Sequence, residues 1–189
     1  FRWEEHLDRF FASGDPYELE IPYDREELTE ATLELLRRQD HDSAYIRPIA
    51  YFGYGSLGIS PDDCPTDVAV ATWPWGAYLG EEALEHGIEV MVSSWRKHAS
   101  SQVPTNAKTT GLYVNSLLAG EEARSNGYQE AIVLNKEGQV AEGPGENLFL
   151  VRDGELYTPG LSQSILDGIT RDTVITLARE LGYTVHDQA

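Results

Sequence analysis

The most informative part of this 189-residue chain is Ala141-Glu142-Gly143-Pro144-Gly145-Glu146-Asn147-Leu148-Phe149. Residues 139–142 have the pattern of a strand, which places the Glu142 carboxyl at a strand end. The glycines that follow leave room for a flat aromatic ring to approach the backbone. A carboxylate beside such a ring could keep a ring nitrogen protonated. The plainer alternative is a turn glutamate with no chemical role.

A candidate anion site follows at Gly168-Ile169-Thr170-Arg171-Asp172, at the start of a helix predicted over residues 170–181. Backbone N–H groups in the first turn of a helix have no partner within the helix. Together with the Thr170 hydroxyl they can therefore bind a phosphate group. Ordinary capping of the helix by Thr170 explains the same residues equally well.

Lys108 lies in a loop of small residues just before a helix predicted over residues 112–126. Most lysines in such loops are merely exposed to solvent. A lysine that forms a Schiff base needs a shielded, neutral amine. A site for pyridoxal 5′-phosphate also needs an acid facing the ring nitrogen and a cradle for the phosphate. Lys108, Glu142 and the helix start at Gly168 together provide candidates for these three parts.

Helix and strand patterns alternate along the rest of the chain. Helices are predicted at residues 3–12 and 25–38, and strands at 44–54, 67–73, 89–95, 130–135, 147–152 and 155–158, the last two joined by a turn at Asp153-Gly154. This order predicts an α/β fold in two parts. A small α+β domain spans residues 1–74, an aromatic connector spans 75–84, and a larger partial barrel spans 85–189.

The charge balance argues against several classes of function. Acidic residues outnumber basic ones by 32 to 14, for a formal net charge of −18, which would repel nucleic acid. An acidic surface with few lysines suits a halophilic source. Since the chain shows neither a run of roughly 18 apolar residues nor a signal-peptide pattern, no membrane partner and a cytoplasmic location are expected. The single Cys64 and the histidines lack metal-ligand spacing, so no metal is expected.

Two further segments have alternative interpretations. Gly53-Tyr54-Gly55-Ser56-Leu57-Gly58 has the glycine spacing of a dinucleotide-binding turn, but the prolines that follow exclude the required helix, so a flexible loop is favoured. Arg47 is predicted to be partly buried on a strand face with tyrosines and an isoleucine. Its guanidinium would then bind either a substrate carboxylate or an acidic residue of the protein, and the two alternatives are evenly balanced.

These segments, in this order, resemble the class IV pyridoxal-phosphate aminotransferases over essentially the whole chain. The resemblance is carried by the glutamate segment, then Leu156-Tyr157-Thr158, then Leu166-Asp167-Gly168-Ile169-Thr170-Arg171. Three other segments resemble the branched-chain enzymes of that class: Ser43-Ala44-Tyr45-Ile46-Arg47-Pro48, Trp73-Pro74-Trp75-Gly76-Ala77-Tyr78-Leu79-Gly80 and Ser93-Ser94-Trp95-Arg96. The resemblance also implies an internal fragment that lacks both ends of the family fold, fold type IV.

The resemblance implies a role for each matching residue. Lys108 would be the Schiff-base lysine and general acid/base, and Glu142 would bind the pyridine nitrogen beside Gly145. Tyr113 would hydrogen-bond the phenolic oxygen of the cofactor, and Leu166 would pack on its ring. The phosphate would be bound by Arg9, Ile169 and Thr170. The substrate pocket would be formed by Tyr45, Arg47, Trp75 and Tyr78, with Leu57 and Ile59 reaching it from the neighbouring subunit of a homodimer.

The implied reaction is transamination of L-leucine, L-isoleucine and L-valine with 2-oxoglutarate, within branched-chain amino-acid biosynthesis. The partners are therefore small amino acids and 2-oxo acids. Two alternatives stay open: a class IV enzyme that uses a D-amino acid or an (R)-amine, and a truncated fragment without activity. Thr109, Thr110, Leu112 and Pro144 depart from residues common in the family, but none of them replaces a reacting group.

Overall fold

The computed structural model describes residues 1–39, 41–76 and 79–188. The helices are α1 Trp3–Gly14, α2 Arg25–Arg38, α3 Glu81–His86, α4 Tyr113–Ser125 and α5 Ile169–Glu180. The strands are β1 Tyr45–Phe52, β2 Thr66–Trp73, β3 Val90–Arg96, β4 Glu130–Leu134, β5 Val140–Glu142, β6 Leu150–Arg152, β7 Glu155–Tyr157 and β8 Val185–His186. The chain divides into a first unit, Trp3–Glu85, and a second unit made of Phe1–Arg2 and His86–Ala189.

Helix α2 of the first unit begins on a signal that is visible in the sequence. Asp24 caps α2: its carboxylate accepts a hydrogen bond from the Glu27 N–H, and the Glu27 side chain accepts one from the Asp24 N–H, both at 2.9 Å. This reciprocal arrangement satisfies two donors that the helix start would otherwise leave unpaired. Trp3 on α1 donates to the Thr29 hydroxyl of α2 at 2.9 Å.

A two-stranded antiparallel sheet, β1 with β2, follows α2 in the first unit. Its register is regular from Tyr45 opposite Trp73 to Phe52 opposite Thr66. The alternation predicted for residues 44–54 is confirmed over Tyr45–Phe52, where exposed and partly buried residues alternate, and the strand is shorter than predicted at both ends. Pro48 lies in a sheet that has only edge strands, where the missing N–H of proline is tolerated. The connection that follows β1 contains no helix before β2 begins, which excludes the dinucleotide interpretation of residues 53–58.

The second unit has its core between a sheet and α4. Strand β3 pairs parallel with β4, and β5 pairs antiparallel with β4. Since two parallel strands need a crossover connection, α4 runs between β3 and β4 and covers the sheet. Its buried alanines pack on β4, with Met91 of β3 alongside. The cluster consists of Ala119, Ala123, Ala131 and Val133.

A second three-stranded sheet, in the order β6-β7-β8, completes this unit. Asp153 and Gly154 both have positive φ, at 52° and 78°, as the predicted hairpin turn requires. Helix α5 is tied to this sheet region by Arg171, which is buried and donates to the carbonyls of Pro159 and Asp187 at 2.9 and 3.1 Å.

The two three-stranded sheets are formed by residues 90–186, within the range 85–189 for which the sequence predicts a partial barrel. Strand β6 is shorter than predicted, beginning at Leu150 rather than at Asn147. Residues 143–146 form a tight loop in which the Gly143 N–H donates to the Glu146 carbonyl at 2.8 Å. The Leu148 carbonyl accepts a hydrogen bond from the Thr158 hydroxyl at 2.7 Å. Among the described residues, the helices are all too short or too polar to cross a membrane.

Candidate active site

Glu142 lies at the end of β5, as the sequence predicts, and its carboxylate is held from three directions. One oxygen, Oε1, contacts the ammonium group of Lys97. The other, Oε2, accepts hydrogen bonds from the Asn147 amide at 3.1 Å and from the Leu166 backbone N–H at 3.0 Å. Three donors compensate the cost of burying this charge. Glu142 is therefore a buried, fully partnered carboxylate and not a solvated glutamate in a turn.

Lys108 and Glu142 line the same cleft, together with three other predicted cofactor residues, Tyr113, Gly145 and Leu166, whereas Ile169 and Thr170 do not line it. The lining includes Lys97, Lys108, Tyr113, Glu142, Gly145, Glu146, Asn147 and Leu166. Lys108 lies in the loop before Thr110–Leu112, a short 3₁₀ segment that leads into α4. Tyr113 is the first residue of α4. The cleft thus combines an amine, a phenol and a buried carboxylate.

Lys108 is more exposed than the sequence predicts. A neutral, nucleophilic amine would be shielded from water, whereas the Lys108 side chain is exposed to solvent. The physical reason is local: the loop residues on either side of Lys108 are small or short. The adjacent Ala107 is buried beneath the loop.

Helix α5 begins without a capping side chain. Its N-cap residue is Gly168, so Thr170 stands in the first turn of the helix and the capping alternative is wrong. The first helical hydrogen bond runs from the Asp172 N–H to the Gly168 carbonyl at 2.9 Å. The N–H groups of Ile169 and Thr170 precede it and can meet an anion.

Gly168 also connects this helix start to the glutamate segment. A Cβ atom at Gly168 would lie 2.0 Å from Oδ1 of Asn147, the residue whose amide binds Glu142. The same amide donates to the Leu166 carbonyl at 3.1 Å. Asn147 therefore links the predicted ring-nitrogen partner to the predicted phosphate site. Asn147 and Lys97 have no assigned role in the sequence analysis.

Three of the predicted substrate residues, Tyr45, Arg47 and Trp75, lie together in an aromatic cluster of the first unit. The Arg47 guanidinium lies 5.3, 5.1 and 5.7 Å from the ring centres of Tyr45, Trp73 and Trp75. Trp73 also belongs to this cluster, although it was not predicted to be a substrate residue. Its position follows from its pairing opposite Tyr45 in the sheet. Tyr78 lies outside the described residues.

Arg47 is exposed, so the prediction of a partly buried guanidinium is wrong. The two-stranded sheet leaves this face of β1 uncovered within the first unit. Among the described residues Arg47 forms no ion pair. Within that part of the chain, the alternative in which Arg47 binds an acidic residue of the protein is therefore excluded. Its contacts are the three aromatic faces, which suit a guanidinium.

The remaining predicted residues of the first unit lie on α1 and in the loop after β1. Arg9 is a partly buried residue of α1, with Nη2 3.4 Å from Nδ1 of His6. Leu57 and Ile59 are fully exposed in the loop.

Glu146 is a titratable group of the cleft that the sequence analysis does not single out. Burial raises the pKa of its carboxyl from the ordinary 4.5 to about 7, and the nearby charge of Glu130 adds to the shift. The part of the chain that the structure describes contains no group of three or more acidic, histidine or cysteine side chains able to hold a metal ion.

The chain belongs to the amino-transferase class IV family, whose sequence model matches residues 1–189. The predicted family and fold type are thereby confirmed. A branched-chain-amino-acid aminotransferase of Escherichia coli (strain K12) is 49% identical over 189 residues. That match covers 100% of this chain and 61% of the relative, so the chain spans about 61% of the relative's length.

Solved structures of branched-chain aminotransferases share the fold. A crystal structure of the Escherichia coli enzyme has a TM-score of 0.96 at 49% identity and covers 100% of this chain and 62% of that one. The T.th. enzyme complexed with N-(5′-phosphopyridoxyl)-L-glutamate has a TM-score of 0.89 at 44% identity and covers 98% of this chain and 60% of that one.

Proposed function

We propose that this chain is the central part of a pyridoxal-phosphate-dependent aminotransferase that acts on L-leucine, L-isoleucine and L-valine with 2-oxoglutarate. The observation that carries the proposal is the cleft in which Lys108, Tyr113, Glu142 and Leu166 meet. The relatives of this chain favour the branched-chain enzymes over class IV enzymes that use D-amino acids or (R)-amines.

The donor set of the cleft fits pyridoxal phosphate. When bound, this cofactor supplies an electron sink and carries the amino group between an amino acid and a 2-oxo acid. Lys108 would hold the cofactor and move the α-proton of the substrate. Glu142 would hold a proton at the ring nitrogen, Tyr113 would donate to the phenolic oxygen and Leu166 would contact the ring.

The phosphate group fits the start of α5. The N–H groups of Ile169 and Thr170 precede the first hydrogen bond of the helix, and the positive end of the helix dipole lies there. We assign Arg9 to the same phosphate on the family resemblance. Gly145, exposed in the loop after Glu142, would let the ring approach the backbone.

The Arg47 cluster fits a pocket with two kinds of substrate. Its aromatic faces, from Tyr45, Trp73 and Trp75, can contact a branched aliphatic side chain. The guanidinium can pair with the side-chain carboxylate of glutamate. The phosphopyridoxyl-glutamate bound by the T.th. relative supports glutamate as the second amino donor. Tyr78 is assigned to this pocket on the resemblance alone.

We further propose a homodimer, in which the fully exposed Leu57 and Ile59 enter the site of the neighbouring subunit. Their exposure supports this, because two large apolar side chains at a loop tip gain stability when a partner covers them. We also propose that the protein is located in the cytoplasm and comes from a halophilic source. Residues 75–84 are proposed to connect the two domains.

Borohydride reduction of the full-length protein loaded with pyridoxal phosphate tests this function. We expect peptide mapping to find the pyridoxyl group on the Lys108 peptide. We also expect Lys108→Ala to remove the group and the visible absorption band, while Lys136→Ala, which changes an exposed lysine, keeps both. Turnover should be measured with L-leucine and with D-alanine. A label on another lysine, or faster turnover of D-alanine, would contradict the proposal.

A further inference from the structure

Lys97 is a charged residue of the cleft with no role in the function proposed so far. It directly follows β3, and its backbone N–H donates to the Leu134 carbonyl of β4 at 2.9 Å. Its side chain is only 14% exposed, and its ammonium contacts Oε1 of Glu142, whose side chain is 9% exposed. The position of Lys97 is thus fixed at both ends, by the sheet and by the carboxylate.

The burial of this lysine differs from that of Lys136, which is 63% exposed and pairs with the neighbouring Glu137 at 3.2 Å in a surface turn. Exposed pairs of that kind contribute little to stability. Removing one partner of a buried pair instead leaves an uncompensated charge in the protein interior. The contact of Lys97 with Glu142 is therefore a specific feature of the cleft rather than a surface coincidence.

The charges around this pair are mainly negative. Glu146 lines the same cleft, and the charges of both Glu130 and Glu142 act on it. The cleft also contains Lys108 and Tyr113. An ammonium in contact with Glu142 offsets part of the negative charge that Glu130 and Glu142 bring to this region.

The two carboxylate oxygens of Glu142 have different partners. Asn147 and the Leu166 N–H fix Oε2 through hydrogen bonds from neutral donors, while Lys97 brings a full positive charge to Oε1. A carboxylate held in this way keeps one orientation and a reduced effective charge. Both properties determine how strongly it binds a protonated ring nitrogen.

We propose that Lys97 is a positioning residue that acts through Glu142, orienting its carboxylate and tuning the charge that it presents to the ring nitrogen of pyridoxal phosphate. This inference rests on the proposed function. It makes Lys97 part of cofactor binding, although its contact is with the protein and not with the cofactor.

The test compares Lys97→Met, Lys97→Arg and the control Lys136→Met in the full-length protein. We expect Lys97→Met to weaken the binding of pyridoxal phosphate to the apoprotein about tenfold, the lower end of the cost of losing an outer partner of a binding group. The pH midpoint of the visible band should shift to higher pH, because a positive charge near the protonated cofactor is lost. Lys97→Arg should restore both values.

A double-mutant cycle with Glu142→Gln separates positioning from general stability. If Lys97 acts through Glu142, Lys97→Met should change neither the affinity nor the midpoint in the Glu142→Gln background. Unchanged affinity and midpoint in Lys97→Met, relative to Lys136→Met, would overturn the inference. So would a shift in Lys97→Arg as large as that in Lys97→Met.

Two further measurements guard against ambiguous results. If Lys97→Met fails to fold, Lys97→Gln, which keeps a donor without the charge, is measured in its place under the same criteria. Absence of pyridoxal phosphate from Lys108 of the wild-type protein would contradict the proposed function itself. That result is distinct from a wild-type holoenzyme whose spectrum does not respond to Lys97.

Discussion

Glu142 and Glu146 lie four residues apart at one cleft, yet their surroundings differ. Glu142 contacts an ammonium and two further donors. The Glu146 carboxylate accepts a hydrogen bond from the Gly145 N–H at 2.9 Å, but burial dominates and raises its pKa to about 7. The pKa of the Glu146 carboxyl therefore lies near neutral pH.

The raised pKa of Glu146 predicts a pH-dependent loss of stability. A group whose pKa is higher in the folded state stabilises the protein fully below its ordinary value of 4.5, and this contribution is lost as the pH rises through about 7. Relative to Glu146→Gln, the wild-type free energy of unfolding should therefore fall between these two pH values. Urea unfolding of the cofactor-free protein over this range measures the difference.

Glu137→Gln is the matched control, because Glu137 is an exposed glutamate in a turn. We expect its difference from the wild type to stay nearly constant over the same range. A wild-type stability that rises with pH relative to Glu146→Gln would show that Glu146 is ionised more readily than its burial indicates.

At the scale of elements, the start of α5 and the loop after β5 depend on each other through Gly168 and Asn147. The φ angle of Gly168 is −76°, which any residue adopts, so glycine is required there for space and not for backbone conformation. Asn147 fills that space, and its side-chain amide donates hydrogen bonds to the Glu142 carboxylate and to the Leu166 carbonyl. The geometry of two loops and one helix thus depends on the absence of one methyl group.

Gly168→Ala tests this dependence. The added Cβ would lie 2.0 Å from Asn147 Oδ1, so the amide must move away from Glu142. We expect the free energy of unfolding to fall by about 1–3 kcal/mol, as for other overpacked sites. Gly111→Ala is the control, because a Cβ there has no atom within 4 Å. Equal stability of the two variants would show that the loop adapts without cost.

At the scale of the whole molecule, charge is the dominant feature. The formal net charge of −18 makes self-repulsion a general cost of folding. The ion pairs on α2, such as Arg38 with Glu34 at 2.8 Å, are exposed and offset little of it. Screening by salt therefore becomes a source of stability, since the Debye length falls from about 10 Å at 0.1 M to about 3 Å at 1 M.

We expect the melting temperature of the full-length protein to rise with potassium chloride from about 0.1 M to about 1 M, the range over which screening changes most. Thermal melts followed by circular dichroism measure this. A parallel series in sucrose at equal osmolality is the control, because an uncharged solute is excluded from the surface without screening charges. A melting temperature that is highest at low salt would contradict a halophilic source.

Local features of this protein were predictable from sequence because they depend on neighbours along the chain. The capping of α2 by Asp24 and the turn at Asp153-Gly154 follow from residues at most three positions apart. The place of Glu142 was predictable in the same way, as the last residue of a predicted strand. The roles proposed for Lys108 and Tyr113 rest on the resemblance to a family and on the order of the matching segments.

Tertiary structure alone decided which side chains surround these residues. Lys97 meets Glu142 across 45 positions of sequence, and Leu166 meets it across 24. Parallel pairing of β3 with β4 places Lys97 at the sheet edge, and no local pattern encodes that pairing. Hydrophobic periodicity and capping act within one or two turns of chain, whereas the buried charge of Glu142 is compensated only by groups that folding brings together.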